Sequence, residues 1–547
     1  MERVQAVGVL IAPLGFLVAA VVASASKGVR PAGAIRSVRL ASWVGLVVAV
    51  ASCIAVAASG TVRTPLLGAE GLGLAVRLDP LSVVIFTMIS VLAVVILRFS
   101  VSYLDGDARQ GLFLSRLART IAAVQVLVLS ANLATLVVAW VLTSLALHQL
   151  LVFHPERPRA VLAARKKFVA ARLGDLLLVI AAVVLYRSVG TGELDAIFAA
   201  ATAGSIASLP LAVAAGCLVS AAMLKSAMFP THGWLVEVME TPTPVSALLH
   251  AGVLNAGPYL VMLMAPVIAQ VSGAGAALVL VGGATAALAS MARVTQPSVK
   301  VALGYSSAGH MGFSLMLCGL GLFPAAVLHL VAHSFYKAHA FLSSGSVVDE
   351  ARASHVPTPA RLGSPVRLVL GAAMALTIYV PSAFVWGVRP DSEPALFVLG
   401  AVLVLATTQL VAAVTDSNGP LVAWVGGAVL ALLVTSLFFG FEAVMHTLLH
   451  DLVPAVDAGG AQLAAAGAVT IVFGVVLVHQ MRAPSRPGSD RRLAWRIHLR
   501  NGLYANALFD RLVMWLWRPV DRRHANETTT DRSLPAPEPA LTTAARY

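Results

Sequence analysis

Residues 221–230 read Ala221-Ala222-Met223-Leu224-Lys225-Ser226-Ala227-Met228-Phe229-Pro230, an amine inside an apolar run with a proline five residues beyond it. A proline removes a helical hydrogen bond and clashes with the preceding turn. A bilayer tolerates such a break only where the freed backbone faces protein or water. The stretch therefore predicts a broken membrane helix with Lys225 at the break, within reach of water.

The rest of the chain supports a membrane setting. It has 547 residues, 59% hydrophobic and 12% charged, with a mean hydropathy of +0.87. Ordinary soluble domains carry about a quarter charged residues, so that class is excluded. Disorder is excluded as well, because this chain has ample apolar surface to bury. Apolar runs near the ~20 residues of a bilayer crossing start close to residues 7, 38, 80, 115, 132, 168, 208, 244, 273, 301, 324, 365, 393, 420 and 464. The fold class expected is an all-α polytopic membrane protein of about 15 transmembrane helices. The first run, Val7 to Ser24, has no convincing cleavage site and reads as a retained helix.

The net charge of +13 comes from 38 Lys+Arg against 25 Asp+Glu. Basic residues cluster in the odd-numbered connections: Lys27, Arg30, Arg36 and Arg39; Arg157, Arg159, Arg165, Lys166 and Lys167; Arg293 and Lys300; Arg352, Arg361 and Arg367. The even-numbered ones include the mildly acidic Glu193 and Asp195, Asp391 and Glu393, Asp451 and Asp457. By the positive-inside rule the N-terminus is outside and the C-terminus cytoplasmic, in a cell (inner) membrane. Basic residues so placed serve orientation and lipid head groups, not nucleic acid. Cys53, Cys217 and Cys318 are scattered through apolar runs and read as packing residues, with no disulfide framework or metal site.

After about residue 481 the composition turns polar, and residues 494–518 interleave Arg with Trp495, Ile497, Leu499, Leu503, Leu508, Phe509, Leu512, Trp515 and Trp517. The spacing predicts a basic amphipathic helix that lies on the inner membrane surface or docks a partner.

Charges inside spans are expensive and therefore informative. Besides Lys225 they include Asp175 in Arg172-Leu173-Gly174-Asp175 and His250 in the eighth span. In the eleventh span His329, His333 and Lys337 follow an i, i+4, i+8 spacing, on one helix face, with His339 on another. Imidazoles and a desolvated amine exchange protons near neutral pH, as a proton wire requires. Other readings remain: His250 as a packing histidine, Lys225 reaching for the interface, and His329 with His333 as metal ligands, although no third ligand is evident. No phosphate loop, dinucleotide motif, nucleophile elbow or Cys/His cluster occurs. The chain is thus expected to be no enzyme and to hold no cofactor. Energy would come from an ion gradient, worth about 2.3 kcal/mol per charge per 100 mV.

Three segments carry a resemblance. They are Leu224–Leu235 with Met239–Gly252, the block from His329 to Val348, and Gln296–Ser306. They resemble the proton-conducting antiporter-type subunits, which include subunit L of NADH-quinone oxidoreductase and the large subunits of multi-subunit sodium/proton antiporters. The resemblance is strongest over residues 75–350. It implies two inverted five-helix repeats, each with a broken helix, and a lateral path of protonatable groups. The implied divisions are 1–112, N-terminal helices; 113–270 and 271–418, the two repeats; 419–480, C-terminal helices; and 481–547, a cytoplasmic tail. By the resemblance Lys225, Asp175 and His250 match one half-path, His329, His333 and Lys337 its continuation, and Lys300 the lysine before them. Glu240 is a second carboxylate that would modulate Lys225.

The sequence departs from the respiratory pattern in two ways. Val141, after Trp140, stands where the family carries the glutamate that pairs with the broken-helix lysine, and no lysine follows Lys337. With residues 148–158 and Leu248–Gly257, these departures resemble most the DabB family, the membrane subunits of two-part inorganic-carbon pumps. That resemblance implies a DabA-like cytoplasmic partner with a zinc site, driven by protons or Na+ to hydrate CO2 to bicarbonate. The alternatives are a respiratory or antiporter subunit and a non-conducting membrane anchor.

Overall fold

The computed structural model describes residues 7–345, 365–415, 421–454, 458–482 and 490–530. A helix lies over each of the fifteen apolar runs. The helices are α1 Ile11–Ala25, α2 Ala32–Ser59, α3 Pro80–Tyr103, α4 Gln110–Val128, α5 Leu133–Leu151, α6 Pro158–Val189 and a short α7 Leu194–Thr202. Next come α8 Ser208–Lys225, α9 Gly233–Glu237, α10 Thr243–Ala251, α11 Ala256–Leu263, α12 Ala265–Ile268, α13 Ser272–Arg293, α14 Val299–Gly319 and α15 Phe323–Leu342. The chain ends with α16 Pro365–Val385, α17 Pro394–Thr415, α18 Leu421–Leu449, α19 Gly460–Arg482, α20 Asp490–Arg500 and α21 Ala505–Thr530. Among the described residues eleven helical spans are long and apolar enough to cross a membrane. The protein is a multi-pass, helical membrane protein.

The all-α expectation needs one addition. Between α2 and α3 lie two antiparallel ribbons, β1 Val62–Arg63 with β4 Arg77–Leu78, and β2 Leu67–Ala69 with β3 Leu72–Leu74. Glu70 and Gly71 form the two-residue turn between β2 and β3, both at positive φ (52° and 75°), as a tight hairpin turn requires. Buried Arg77 pairs with Asp79 at 2.9 Å and with Asp195 at 3.3 Å, so the ribbons grip the α7 connection. Asp79 also opens α3 with a reciprocal capping box to Ser82. At the opposite end Arg30 binds Asp105 through both oxygens, joining the first and third connections as alternate crossings demand.

The span Thr243–Leu263 is wholly enclosed by other helices. The outer helices α2, α18 and α19 instead present Leu40, Trp43, Val47, Val425, Val429 and Ile471, surface suited to lipid. Helices α13 and α14 meet through glycines: a Cβ on Gly282 or Gly312 would lie 2.5 Å from the other's carbonyl oxygen. Small residues permit such backbone contact where lipid supplies no hydrophobic drive.

Two helix breaks organise the interior. The chain leaves helical geometry after Lys225, passes Ala227 at φ 54° and the cis Phe229–Pro230 bond, and resumes as α9. This is the break expected at Pro230. The second was not expected: α10 ends at Ala251, one residue after His250, and a single 3-10 turn, Val253–Asn255, leads into α11. Asn255 Nδ2 caps Ala251 O at 2.8 Å and reaches Ser334 Oγ on α15 at 2.7 Å. The broken helix expected within residues 271–418 is not seen among residues 271–342, and residues 346–364 beyond, with Arg352 and Arg361, lie outside the described residues.

Two sequence expectations are corrected. Lys166 and Lys167 do not lie in a loop, because α6 begins at Pro158 and buries both. Nor is the tail one surface helix. It breaks at Asn501–Tyr504, where Gly502, Leu503 and Tyr504 all take positive φ, and it folds back on the body.

Candidate proton path

Lys225 Nζ is buried without a hydrogen-bond partner among the described residues. It lies over the indole of Trp140, 4.4 Å from the ring centroid, within the range of a cation–π contact. The ring thus faces the amine at the site where the resemblance lacked its glutamate. Asp175, expected in the same half-path as Lys225, binds Arg172 one turn back on α6 at 2.7 Å. Its charge still acts on Lys225. Glu240 closes the 3-10 turn after α9, and its side chain lies outside the described residues.

The second group centres on α15. His333 and Lys337 are buried on the face predicted, with His329 half-buried beside them. The stripe gains a member that sequence reasoning missed: His310, on α14, places Nδ1 3.3 Å from His329 Nε2 and its ring 4.8 Å from that of His333. The signal was present in Gly309-His310-Met311-Gly312, a polar ring among small residues, but only the α14/α15 packing reveals which histidines it meets. Among the described residues no group of three His, Cys, Asp or Glu side chains could hold a metal.

His250 stacks at 4.4 Å on Phe341, which lies on the same helix, α15, as Lys337 and His333. Both ring nitrogens of His250 and of His333 lack hydrogen-bond partners among the described residues. Buried polar atoms normally find partners, so these rings are polar groups left without one among the described residues. Lys337 donates to Leu303 O at 3.2 Å, and Lys300, one turn earlier on α14, donates to Thr243 Oγ1 at 3.0 Å. Lys300 therefore touches the start of α10 rather than the histidines.

The structure thus forms two clusters, Asp175–Lys225 and His250–His329–His333–Lys337 with His310. Leu249 and Val253, beside His250 in the chain, form part of the cavity wall next to Lys225.

Near the first cluster, Lys166 donates to Glu237 at 2.5 Å and to Asn506 at 2.9 Å, and also pairs with Asp510. Asn506 in turn donates to Glu237. The tail is thereby pinned beside the α8–α9 break, with Gly502 and Leu503 against His232 and Tyr305. The outer side of the tail exposes Leu508, Leu512 and Trp515.

The family model for NADH:quinone oxidoreductase/Mrp antiporter, TM, matches residues 130–364. The model for NADH-ubiquinone oxidoreductase (complex I), chain 5 N-terminus, matches residues 68–114. The probable inorganic carbon transporter subunit DabB2 of Halothiobacillus neapolitanus is 36% identical over 455 residues, spanning 82% of this chain and 81% of that protein. The probable inorganic carbon transporter subunit DabB of Hydrogenovibrio crunogenus is 43% identical over 275 residues, 50% of this chain and 53% of that one. Among solved structures, the Mrp complex of Dietzia sp. aligns with a TM-score of 0.61 at 24% identity, over 98% of this chain and 64% of its own. At that identity the likeness speaks for the fold alone.

Proposed function

This chain belongs to the DabB family of inorganic carbon transporter subunits, and from that membership we propose that it conducts protons to drive hydration of CO2 to bicarbonate by a bound partner. The observation that carries the reading is the pair of protonatable clusters at the two helix breaks. Charges within a bilayer are costly, about 2.5–3.5 kcal/mol each on insertion scales, and a passive anchor has no use for them. A proton entering near Asp175 would pass to Lys225, then by way of His250 to the imidazoles of His329, His333 and His310, and on to Lys337.

The partner is a DabA-like cytoplasmic subunit that carries zinc, and this chain supplies the ion path and a docking face. The exposed apolar side of the tail and the basic odd-numbered connections suit that face. The remaining parts of the reading are about fifteen crossings in two inverted repeats, a cell-membrane location, the N-terminus outside and the C-terminus in the cytoplasm. Protons are favoured over Na+ because imidazoles and amines, with Asp175 as the one carboxylate among them, make up most of the path.

The test is purification of the tagged protein from gently solubilised membranes, with identification of what accompanies it and a zinc assay. A zinc-containing soluble partner is expected. Recovery with respiratory or antiporter subunits instead would make this a complex I-like antiporter subunit. In reconstituted vesicles, Lys225→Ala should abolish proton flux while assembly persists, and full flux would refute the path.

A further inference from the structure

Lys167 is fully enclosed, one residue from the tail-binding Lys166, and none of the functions above uses it. Its Nζ donates to Ser144 O at 2.5 Å and to Ser144 Oγ at 2.9 Å. Ser144 stands one turn beyond Val141 on α5, so Lys167 is anchored next to the position where the antiporter-type carboxylate is missing. Lys167 and Lys225 line the same cavity, of about 20 Å³, together with Trp234 and Leu249. A cavity of that size holds one water if polar partners are present. Lys225 Nζ and Trp234 Nε1 are both buried and unpartnered among the described residues, so such partners exist.

Two ammonium groups facing one small cavity repel each other strongly. The charged and titratable groups around Lys167 are Lys225 on α8, Arg172 and Asp175 on α6, and His148 on α5. One carboxylate, already bound to Arg172, cannot neutralise two amines. With two N–H groups given to Ser144, Lys167 keeps its third nitrogen position for the cavity. That position is a lone pair when the amine is neutral and an N–H when it is charged.

We infer that Lys167 is the proton-exchange partner of Lys225, an amine in the role that a carboxylate holds in a glutamate–lysine pair. Lys225 breaks one N–H bond and protonates the cavity water. The same water releases a different proton to the Lys167 lone pair, forming a new N–H bond. The water is regenerated, Lys225 is left neutral, and the single positive charge has moved to α6. This inference rests on the proton-conducting reading.

The experiment measures proton flux into vesicles holding the complex with its co-purifying partner, for Lys167→Gln, Lys167→Arg and Lys225→Met. Gln keeps two N–H donors for Ser144 without a basic nitrogen, and Arg keeps the charge but never gives up its proton. If Lys167 relays protons, both variants lose about tenfold or more of the flux while assembly and melting temperature hold. Wild-type flux in either Lys167 variant, with Lys225→Met inactive, would make Lys167 a structural anchor and overturn the inference. Wild-type flux in Lys225→Met would instead overturn the conducting reading itself. Should the Lys167 variants fail to assemble, Ser144→Ala loosens the anchor without touching the amine. A shifted pH profile of flux supports the relay, and an unchanged profile overturns it.

Discussion

The ammonium of Lys225 faces the π-cloud of Trp140 at 4.4 Å, on the residue adjoining Val141. An aromatic face stabilises a cation without a formal charge, by about 2 kcal/mol when desolvated. Lys225 can therefore be held in place yet released from its proton more readily than from a carboxylate partner. Trp140→Leu removes this contact and keeps an apolar side chain at the position, at the cost of a cavity beside it. We expect flux in reconstituted vesicles to fall several-fold with the complex intact. Unaltered flux would reduce Trp140 to packing.

His310 gives the second prediction. Its contact with His329 at 3.3 Å is the single imidazole–imidazole hydrogen bond among the described residues. Residues that share a bond should not act independently. His310→Phe and His329→Phe should each lower flux strongly, and the double variant should be little worse than the more severe single one. Multiplicative losses in the flux assay would mean that the two rings act separately.

Much of both clusters was legible because the signals are local. A lysine followed by Pro230 marks a break, and His329, His333 and Lys337 share a face by spacing alone. His310 and Lys167 were hidden for a different reason. Each earns its place by contact with another helix, α15 for His310 and α5 for Lys167. A one-dimensional pattern shows that such residues are polar, not which neighbours they meet. The runs of basic residues misled most where they were densest: Arg165-Lys166-Lys167 reads as a cytoplasmic loop, but α6 starts early and carries the last two inward. The break after His250 was missed although Pro258 follows it, because that proline lies eight residues on and acts back on the carbonyl of Leu254 in the 3-10 turn.

The tail yields the third prediction. Lys166 is fully buried, whereas Asp510 is about a quarter exposed (26%). Removing one partner of a largely buried pair leaves the other short of charge compensation. Glu237 remains to hold Lys166, so Asp510→Asn should loosen the tail by about 1–2 kcal/mol rather than release it. Hydrogen exchange over residues 505–517 is the measurement, and protection there should drop several-fold while α6 and α9 stay protected. Unchanged exchange would mean that Asn506 and the apolar contacts of Leu503 hold the tail unaided.

The fourth prediction tests whether helix packing sets the histidine geometry. Gly312 lies two residues after His310, and its backbone abuts that of Gly282 across the α13/α14 contact. A methyl group at Gly312 would meet backbone rather than a flexible side chain, so the helices must separate to admit it. Overpacking of this kind costs about 1–3 kcal/mol. Because α14 carries His310 and α15 carries His329, moving α14 should also lengthen the bond between the two rings. Gly312→Ala is therefore expected to lower the melting temperature of the complex and to reduce flux toward the level of His310→Phe. If the protein is destabilised but conducts normally, the imidazole cluster tolerates displacement and a hydrogen-bonded contact between His310 and His329 is not required for transfer.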